Sequence, residues 1–418
     1  MSNLKQGAVI ELTNGKSAVV KSELGRGGQG VVYKVECDGK EMALKWYHNP
    51  PSINFYQNLQ RNVDNGAPST AFIWPKYVTK YPKYDSYGYV MDLRPGQYKE
   101  FGQFLLAKAK FKTCDAMLAA AMRICEGFQK LHLYGYSYQD LNDGNFFIDP
   151  DTGDVLICDN DNVMSQGQNA GILGKARYMA PEIVTGSAMP DKYSDRFSLS
   201  VLLFLLLFGA HPLEGSKVIA CPCLTEKSER EFYGHHPVFI YDQADKSNRP
   251  VAGVHVNVIR RWPIFPSSVK NAFIREFSQE KMMNKTTRCI ESEWRKIIEQ
   301  ARDGLVVCPH CKCDTFSESG KCVNCGASLD LSNVIRIGTR QLELTVGTKL
   351  YIDNDNIADA TVVLKDGKMW IKNLSSEKWH VETLSGRINV VEPAGCMPVR
   401  PGLKISFGTG IKGVIETR

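Results

Sequence analysis

The sequence lacks the long hydrophobic runs and the strong charge imbalance that mark membrane proteins and nucleic-acid-binding proteins. Its longest apolar run, LSVLLFLLLFGA at 199–210, is shorter than the roughly 18 residues of a membrane-spanning helix and predicts a buried core helix. Lys and Arg total 51 against 45 Asp and Glu, and the net charge of +6 is too small to indicate a nucleic-acid partner. The N-terminal MSNLKQGAVIEL has no basic segment leading into an apolar one, so we expect no secretory signal and a cytoplasmic location.

The sequence also has too few paired cysteines for a disulfide framework. Of its 13 cysteines, four form two C-x-x-C motifs, Cys308 with Cys311 and Cys322 with Cys325. Two thiolates on one tight turn present adjacent sulfurs, and two such turns complete a tetrahedral Zn²⁺ site. The segment 301–330 is too short and polar to fold by apolar burial, so the pattern predicts a zinc ribbon, with free thiols or a redox pair as alternatives.

Two stretches of different character flank this segment. Residues 1–300 combine strand-like alternation, as in SAVVKSEL and GVVYKV, with a helical pattern that ends at Gly135. Residues 331–418 consist of short alternating runs separated by turn signals such as Asp366-Gly367, the pattern of a small all-β sandwich. The expected fold class is α+β, followed by the ribbon and the sandwich.

A glycine-rich turn lies between two strand-like runs near the N-terminus. The pattern GxGxxGxV is formed by Gly25, Gly27, Gly28, Gly30 and Val32, counting Gly28 at a free position. Glycines there let backbone N–H groups approach a triphosphate. Because the turn connects two strands and does not open a helix, it indicates a flap over ATP and not a dinucleotide site, with an ordinary hairpin as the alternative.

Two charged residues follow at places that suit phosphate and metal binding. The next strand reads MALK and ends in Lys45, matching the V-A-I-K pattern whose lysine neutralises the α- and β-phosphates. The apolar strand VLICD ends in Asp159, the place of the D-F-G aspartate that holds Mg²⁺. Taken singly, each residue has an ordinary alternative, an exposed strand lysine or a solvated turn acid.

The pattern of a catalytic loop lies between these two residues. YQDLNDGN at 138–145 resembles H-R-D-L-x-x-x-N, with Asp140 as the base and Asn145 as a metal ligand. Downstream, Ala-Pro-Glu ends at Glu182, and Arg288 stands where a buried partner of that glutamate is expected. Five signatures in this order and at these spacings predict a bilobal protein kinase fold.

On these motifs the chain resembles the eukaryotic-like protein kinase superfamily, and YQDLNDGNFFIDPDTGDVLICDNDNV is similar to a narrower bacterial group, the tellurite-resistance-associated triad. In that triad a serine/threonine kinase is encoded with a von Willebrand A-type protein and a PP2C-type phosphatase. The resemblance implies these domains: a kinase at 1–300 with lobes at about 1–92 and 95–300, a zinc ribbon at 301–330, and a forkhead-associated-like β-sandwich at 331–418. It also implies ATP, Mg²⁺ and structural Zn²⁺ as cofactors, a protein substrate, and the two triad proteins as partners.

The same resemblance implies how the nucleotide is held. Met91 takes the gatekeeper position, and the carbonyl of Asp92 with the amide of Arg94 would hold the adenine. The full set of implied nucleotide-binding residues is Gly25, Gly27, Gly28, Gly30, Val32, Ala43, Lys45, Asp92 and Arg94.

Three departures from the family pattern change charges or shape near the reaction. Gln139 replaces the arginine that reads activation-loop phosphate, so we expect activation without that phosphate. Asn142 replaces the catalytic-loop lysine, which removes a cation near the transferred phosphate. Asn160 and Asp161 replace the Phe-Gly of D-F-G, so an inactive state would not use the Phe flip.

A fourth departure concerns the helix that normally supplies an acid to the strand lysine. The expected helix at 52–65 contains no Glu, so Lys45 would pair with Gln57, with Asn58 or directly with Asp159. This absence raises a second hypothesis, a pseudokinase scaffold that binds nucleotide and docks partner proteins.

The C-terminal domain departs from the forkhead-associated pattern at its phosphate-binding positions. Gly347 is followed by Thr348 and not by arginine, and ADAT at 358–361 stands where Ser-Arg-x-His is expected. Asp359 would repel a phosphate, so we expect no phosphothreonine binding. The domain would then either cap the ribbon and kinase or dock a triad partner.

Overall fold

The computed structural model describes residues 4–81, 85–169, 174–353 and 356–418. The N-terminal lobe consists of β1 (Val9–Glu11), β2 (Ser17–Arg26), β3 (Gly30–Cys37), β4 (Lys40–Tyr47), helix α1 (Ile53–Asn65), β5 (Tyr77–Val78) and β6 (Gly88–Asp92). The strands form one antiparallel sheet in the order β1-β2-β3-β4-β6-β5. Asp38 and Gly39 connect β3 to β4 with φ of 51° and 71°, as a two-residue hairpin turn requires.

The C-terminal lobe is mostly helical and contains the largest hydrophobic core. Its elements are β7 (Lys99–Glu100), α2 (Phe101–Leu105), α3 (Cys114–Leu133), β8 (Tyr136–Ser137), β9 (Phe146–Ile148), β10 (Val155–Ile157), β11 (Met164–Ser165), α4 (Pro181–Val184), α5 (Lys192–Phe208), α6 (Ser216–Ile219), α7 (Glu226–Glu229), α8 (Val256–Arg261), α9 (Ser267–Glu276), α10 (Gln279–Met283) and α11 (Glu291–Asp303). Helix α5 contains most of the long apolar run, and its Leu and Phe side chains are buried, as predicted. No helix in the described ranges is both long enough and apolar enough to span a bilayer.

The remaining chain is built from β-strands. Its elements are β12 (Leu305–Val307), β13 (Asp314–Phe316), β14 (Asn333–Ile337), β15 (Arg340–Glu343), β16 (Lys349–Leu350), β17 (Ala360–Lys365), β18 (Lys368–Asn373), β19 (Trp379–Glu382), β20 (Ile388–Val391), β21 (Cys396–Pro398), β22 (Lys404–Ser406) and β23 (Lys412–Thr417). Strands β12 and β13 form a hairpin within the cysteine-rich segment. The others form a six-stranded sheet (β15-β14-β23-β22-β19-β20) and a four-stranded sheet (β16-β17-β18-β21) that enclose a separate apolar core.

The cysteine-rich segment is attached to the kinase-like lobe by buried polar contacts. The carboxylate of Asp314 accepts the backbone N–H of Cys114 at 2.8 Å, which satisfies a donor in the first turn of α3. Helix α11 runs to Asp303, past the predicted boundary at 300, because its last residue has a partner in the next domain. Arg340 donates from Nη2 to the Asp303 carboxylate at 2.7 Å.

Candidate active site

The glycine-rich turn connects β2 to β3 as a hairpin, and the Gly27 N–H donates to the Gly30 carbonyl at 2.9 Å. A Cβ on Gly30 would lie 2.3 Å from the carbonyl oxygen of Trp46, so the packing of β3 on β4 requires glycine there. A Cβ on Gly25 or Gly28 would meet no atom within 4 Å. Packing within the protein does not demand glycine at these two positions, and their bare backbone leaves room for a ligand.

An apolar cluster of side chains from β3, β4, β6 and β10 lies beside this turn. Ala43 on β4 pairs in register with Met91 on β6, and both are buried in one cluster. Val32 and Leu156 pack against the same cluster from β3 and β10. Two of the predicted nucleotide-binding residues, Val32 and Ala43, therefore lie in this cluster with Met91, the predicted gatekeeper.

The predicted hinge begins where β6 ends, at Asp92. The Asp92 carboxylate is exposed and accepts a hydrogen bond from Lys76 Nζ at 2.6 Å, so its side chain does not belong to the apolar cluster. The guanidinium of Arg94 donates to the Tyr98 carbonyl at 2.7 Å and lies 4.1 Å from the centre of the Phe147 ring. Only backbone groups of Asp92 and Arg94 remain for the adenine contacts expected from the sequence.

Lys45 joins the two lobes through carboxylates. Its side chain is only 6% exposed, and Nζ lies 2.9 Å from the Asp161 carboxylate and 3.3 Å from that of Asp159. The amide oxygen of Gln29, in the glycine-rich turn, accepts from the same Nζ at 3.2 Å. Burial by itself would lower the pKa of Lys45, but the two carboxylates outweigh burial and raise it, so this lysine is a permanent cation.

Of the three partners expected for Lys45, only Asp159 contacts it in the structure. Gln57 is exposed, and Asn58 is buried but donates its amide to the Val163 carbonyl at 2.9 Å. These two alternatives were wrong because α1 presents an apolar side chain toward this part of β4. The ring centre of Phe55 lies 5.7 Å from that of Tyr47.

Asp161 is the residue of the site that sequence reasoning missed. Its side chain is fully buried, and in addition to its ion pair with Lys45 it accepts a hydrogen bond from the Tyr47 hydroxyl group. The signal was present, because a second acid follows Asp159 by two residues, but comparison with D-F-G registered only the loss of glycine. A buried carboxylate requires a charged partner, and Lys45 is that partner.

Asp159 projects from a short turn after β10. Its backbone adopts a left-handed conformation with φ 53° and ψ 45°, and its side chain is 41% exposed. The next residue fixes the turn, since the Asn160 amide donates to the carbonyls of Ile73 at 2.8 Å and Ile157 at 2.9 Å. The accessible carboxylate is the hard oxygen ligand that Mg²⁺ prefers.

The catalytic-loop segment is held from below by helix α5. The carboxylate of Asp195 accepts the backbone N–H groups of Tyr138 at 2.6 Å and Gln139 at 3.0 Å. His132 lies between Asp195 and Glu291, at 3.1 and 2.8 Å. Burial opposes its protonation, but the two carboxylates raise the pKa of His132 to about 9, so the support beneath the loop is charged at neutral pH.

Asp140 and Asn145 are brought together within this loop. The Asn145 amide donates to the backbone carbonyl of Asp140 at 2.9 Å, and the Asn142 amide donates to the Asp140 carboxylate at 3.1 Å. The pKa of Asp140 is raised above its ordinary value, mainly by burial, although the Asn142 hydrogen bond and the charge of Lys175 oppose the shift. A carboxylate with this combination of surroundings can accept a proton from a bound hydroxyl group.

Gln139 contacts the following segment through neutral hydrogen bonds. Its amide nitrogen donates to the carbonyl of Gln168 at 2.6 Å and to the Ser137 hydroxyl at 2.9 Å. Its amide oxygen accepts from the Asn169 side chain at 2.9 Å. The segment before residue 170 is thus tied to the catalytic loop without a charged group.

The Ala-Pro-Glu signature forms the ion pair expected from the sequence. Arg288 donates to both carboxylate oxygens of Glu182 at 2.7 Å, in a bidentate arrangement. The guanidinium is buried, and further donates to the carbonyls of Tyr193 and Met282. This pair fixes α4 against the helical core.

The four paired cysteines converge in the ribbon segment. The Sγ atoms of Cys308 and Cys325 are 3.7 Å apart, and those of Cys311 and Cys322 are 3.5 Å apart. All four sulfurs lie within 4.8 Å of one another. Tetrahedral Zn²⁺ with Zn–S distances of about 2.3 Å places its sulfurs about 3.8 Å apart, so the donor set fits this metal.

Comparison with known proteins agrees with this geometry. The family model "Protein kinase domain" matches residues 18–228. The chain therefore belongs to the protein kinase domain family. It is 25% identical over 248 residues to the protein kinase YegI of Escherichia coli K12, covering 52% of this chain and 36% of YegI.

Two eukaryotic kinases are similar over parts of the same region. Serine/threonine-protein kinase AtPK1/AtPK6 of Arabidopsis thaliana is 28% identical over 209 residues, covering 47% of this chain and 43% of that protein. Protein kinase C delta type of Mus musculus is 36% identical over 115 residues, covering 26% of this chain and 16% of that protein. The chain spans less than half the length of each of these relatives.

Proposed function

We propose that this protein is a serine/threonine protein kinase that transfers the γ-phosphate of ATP to a protein hydroxyl group. The observation that carries the proposal is the meeting of Lys45 with Asp159 across the lobes, beside a loop that holds Asp140 and Asn145 together. Each of these residues lies on the segment whose sequence pattern assigns it that place.

The proposed roles follow from the chemistry of each side chain. Lys45, held by Asp161, would position the phosphates together with the glycine-rich turn. Asn145 and Asp159 would hold Mg²⁺, which neutralises charge on the phosphates when bound. Asp140 would orient the substrate hydroxyl and accept its proton, so that catalysis comes from positioning and charge stabilisation.

The finer parts of the proposal rest on the sequence resemblance. They are a cytoplasmic kinase of a bacterial stress-signalling system, with a von Willebrand A-type protein and a PP2C-type phosphatase as partners. Structural Zn²⁺ bound by Cys308, Cys311, Cys322 and Cys325 would stabilise the ribbon, and sulfur spacings close to tetrahedral support that ligand set. The residues at 331–418 would form a forkhead-associated-like domain.

A pseudokinase scaffold remains the second candidate, because α1 contributes no acid to Lys45. Asp161 weakens this alternative, since a buried carboxylate occupies the same role from another segment.

Phosphate transfer from labelled ATP to a generic protein substrate and to each triad protein would test the proposal, with Asp140→Asn as the comparison. Transfer by the wild type that is lost in Asp140→Asn is the expected result. Mg²⁺-dependent nucleotide binding without any transfer would instead establish the scaffold.

A further inference from the structure

An exposed lysine from the segment after residue 173 reaches the catalytic loop. Lys175 donates from Nζ to the side-chain oxygen of Asn142 at 3.0 Å. The Asn142 amide in turn donates to the Asp140 carboxylate at 3.1 Å. The cation of Lys175 therefore lies one side chain away from the proposed base Asp140. The side chain between them is Asn142, the position at which the family pattern has a lysine.

The backbone next to Lys175 is fixed against the same loop. Gly174 has φ +86°, and a Cβ there would lie 3.3 Å from the Gln139 carbonyl oxygen and 3.4 Å from an Asp140 carboxylate oxygen. Gly174, the residue before the lysine, therefore lies close against the catalytic loop.

Phosphoryl transfer needs a positive charge at this place. As the substrate oxygen bonds to the γ-phosphorus and the bond to the β,γ-bridging oxygen breaks, ADP leaves with the electron pair and the hydroxyl proton passes to Asp140. Negative charge is spread over the equatorial oxygens of the transferred group. A preorganised cation next to the base stabilises that charge, and Asn142 cannot supply it.

We propose that Lys175 is a catalytic residue that supplies the cation missing from position 142. The inference rests on the proposed kinase function. Lys175 contributes charge and one hydrogen bond to the transferred phosphoryl group, while Asn142 orients it in the free enzyme.

Steady-state kinetics and nucleotide titration of the full chain would test this. Lys175→Ala should lower kcat by about 100-fold, the typical effect of losing one preorganised donor, and leave the Kd for MgATP within about twofold. Lys175→Arg should retain most of kcat. Lys227→Ala, which removes an exposed lysine on α7, is the control for lost surface charge.

The decisive variant moves the charge back to the loop. Lys175→Ala/Asn142→Lys should recover at least about tenfold of the lost kcat if the cation is what matters. A kcat for Lys175→Ala close to wild type, or a loss that Asn142→Lys does not repair, would overturn the inference. An inactive wild type would instead refute the kinase proposal, so the two failures are distinguishable.

Discussion

The catalytic cleft and the C-terminal sandwich both depart from the residues of the families they resemble, with different structural outcomes. In the cleft, the acid absent from α1 is replaced by Asp161, and a cation lies beside Asn142 in the form of Lys175. In the sandwich, Thr348 at the position of the expected arginine is buried and shares a hydrogen bond with Thr345.

Thr348 and Tyr351, close to where the sequence resemblance would expect phosphate binding, contact the cysteine-rich segment and α3. Thr348 also accepts the backbone N–H of Val307, at 3.4 Å, from the ribbon hairpin. The Tyr351 hydroxyl group donates a hydrogen bond to the carboxylate of Asp115 on α3. The guanidinium of Arg302 lies 3.5 Å from the centre of the Tyr351 ring. Asp359 accepts two backbone N–H groups and so stabilises a turn.

This difference teaches how to read a degenerate motif. Where a lost charge has a replacement within reach of the same atoms, the proposed chemistry can rest on a changed set of residues. Where the position is buried in a domain contact, packing occupies it. The following predictions test each side of this comparison, beginning with the largest effect.

Asp159→Ala should reduce Mg²⁺-dependent transfer by about 1,000-fold or more, because losing a metal ligand removes several kcal/mol of charge stabilisation. Circular dichroism and thermal melting should confirm an intact fold. Asp151→Ala, in the exposed hairpin before β10, is the control. Full activity of Asp159→Ala would contradict the metal assignment and place the chemistry elsewhere.

Cys308→Ser/Cys325→Ser should lose the single Zn²⁺ per chain, measured by elemental analysis of protein purified without added metal. Without its metal, 301–330 should become more susceptible to proteolysis, with the kinase body still folded. The Cys313→Ser variant, which removes a neighbouring thiol outside these four cysteines, should keep its zinc. Equal zinc content in the double variant would refute the ligand set.

Asp161→Asn should lower kcat/KM by about 10- to 100-fold, the cost of removing one charge-assisted hydrogen bond of about 1.5–3 kcal/mol. Gln57→Ala, on the helix that lacks the acid, should change kcat/KM by less than about twofold. If Gln57→Ala lowered kcat/KM more than Asp161→Asn, Lys45 would depend on α1. The cleft, like the sandwich, would then have no substitute for its lost charge.

Phosphatase treatment of the purified protein should leave its activity unchanged. The Gln139 amide cannot form the bidentate charged contact that an arginine makes with phosphate, and its neutral partners are already in place. Mass spectrometry would verify dephosphorylation. Inactivity that only rephosphorylation restores would show the prediction to be wrong.

Titration with phosphothreonine peptides should give no binding, since Thr348 and Asp359 offer no cation and face other parts of the protein. Fluorescence anisotropy with matched unphosphorylated peptides would measure this. Micromolar affinity that disappears on dephosphorylation would mean that the sandwich, like the cleft, has recruited a substitute.

Local patterns predicted most of the frame. The helix that ends at Leu133, two residues before the predicted stop at Gly135, the buried run in α5 and the Glu182–Arg288 pair all follow from periodicity, capping and family spacing. The second acid at Asp161 is visible in the sequence, but its pairing with Lys45, like the position of Lys175 beside Asn142, depends on which segments meet in space. Comparison with a family pattern shows that a residue is missing at one position. A charge acts over distance, however, and can come from any nearby segment of the same chain.

The proximity of Asp159 and Asp161 on one short turn has a consequence for inhibitor design. Compounds that gain selectivity by pushing a helix outward, and so breaking a lysine–glutamate pair, would find no such pair on α1 here. The two carboxylates next to Lys45 lie on one short turn, so a selective compound would have to displace that turn, where the amide of Asn160 donates to the carbonyls of Ile73 and Ile157.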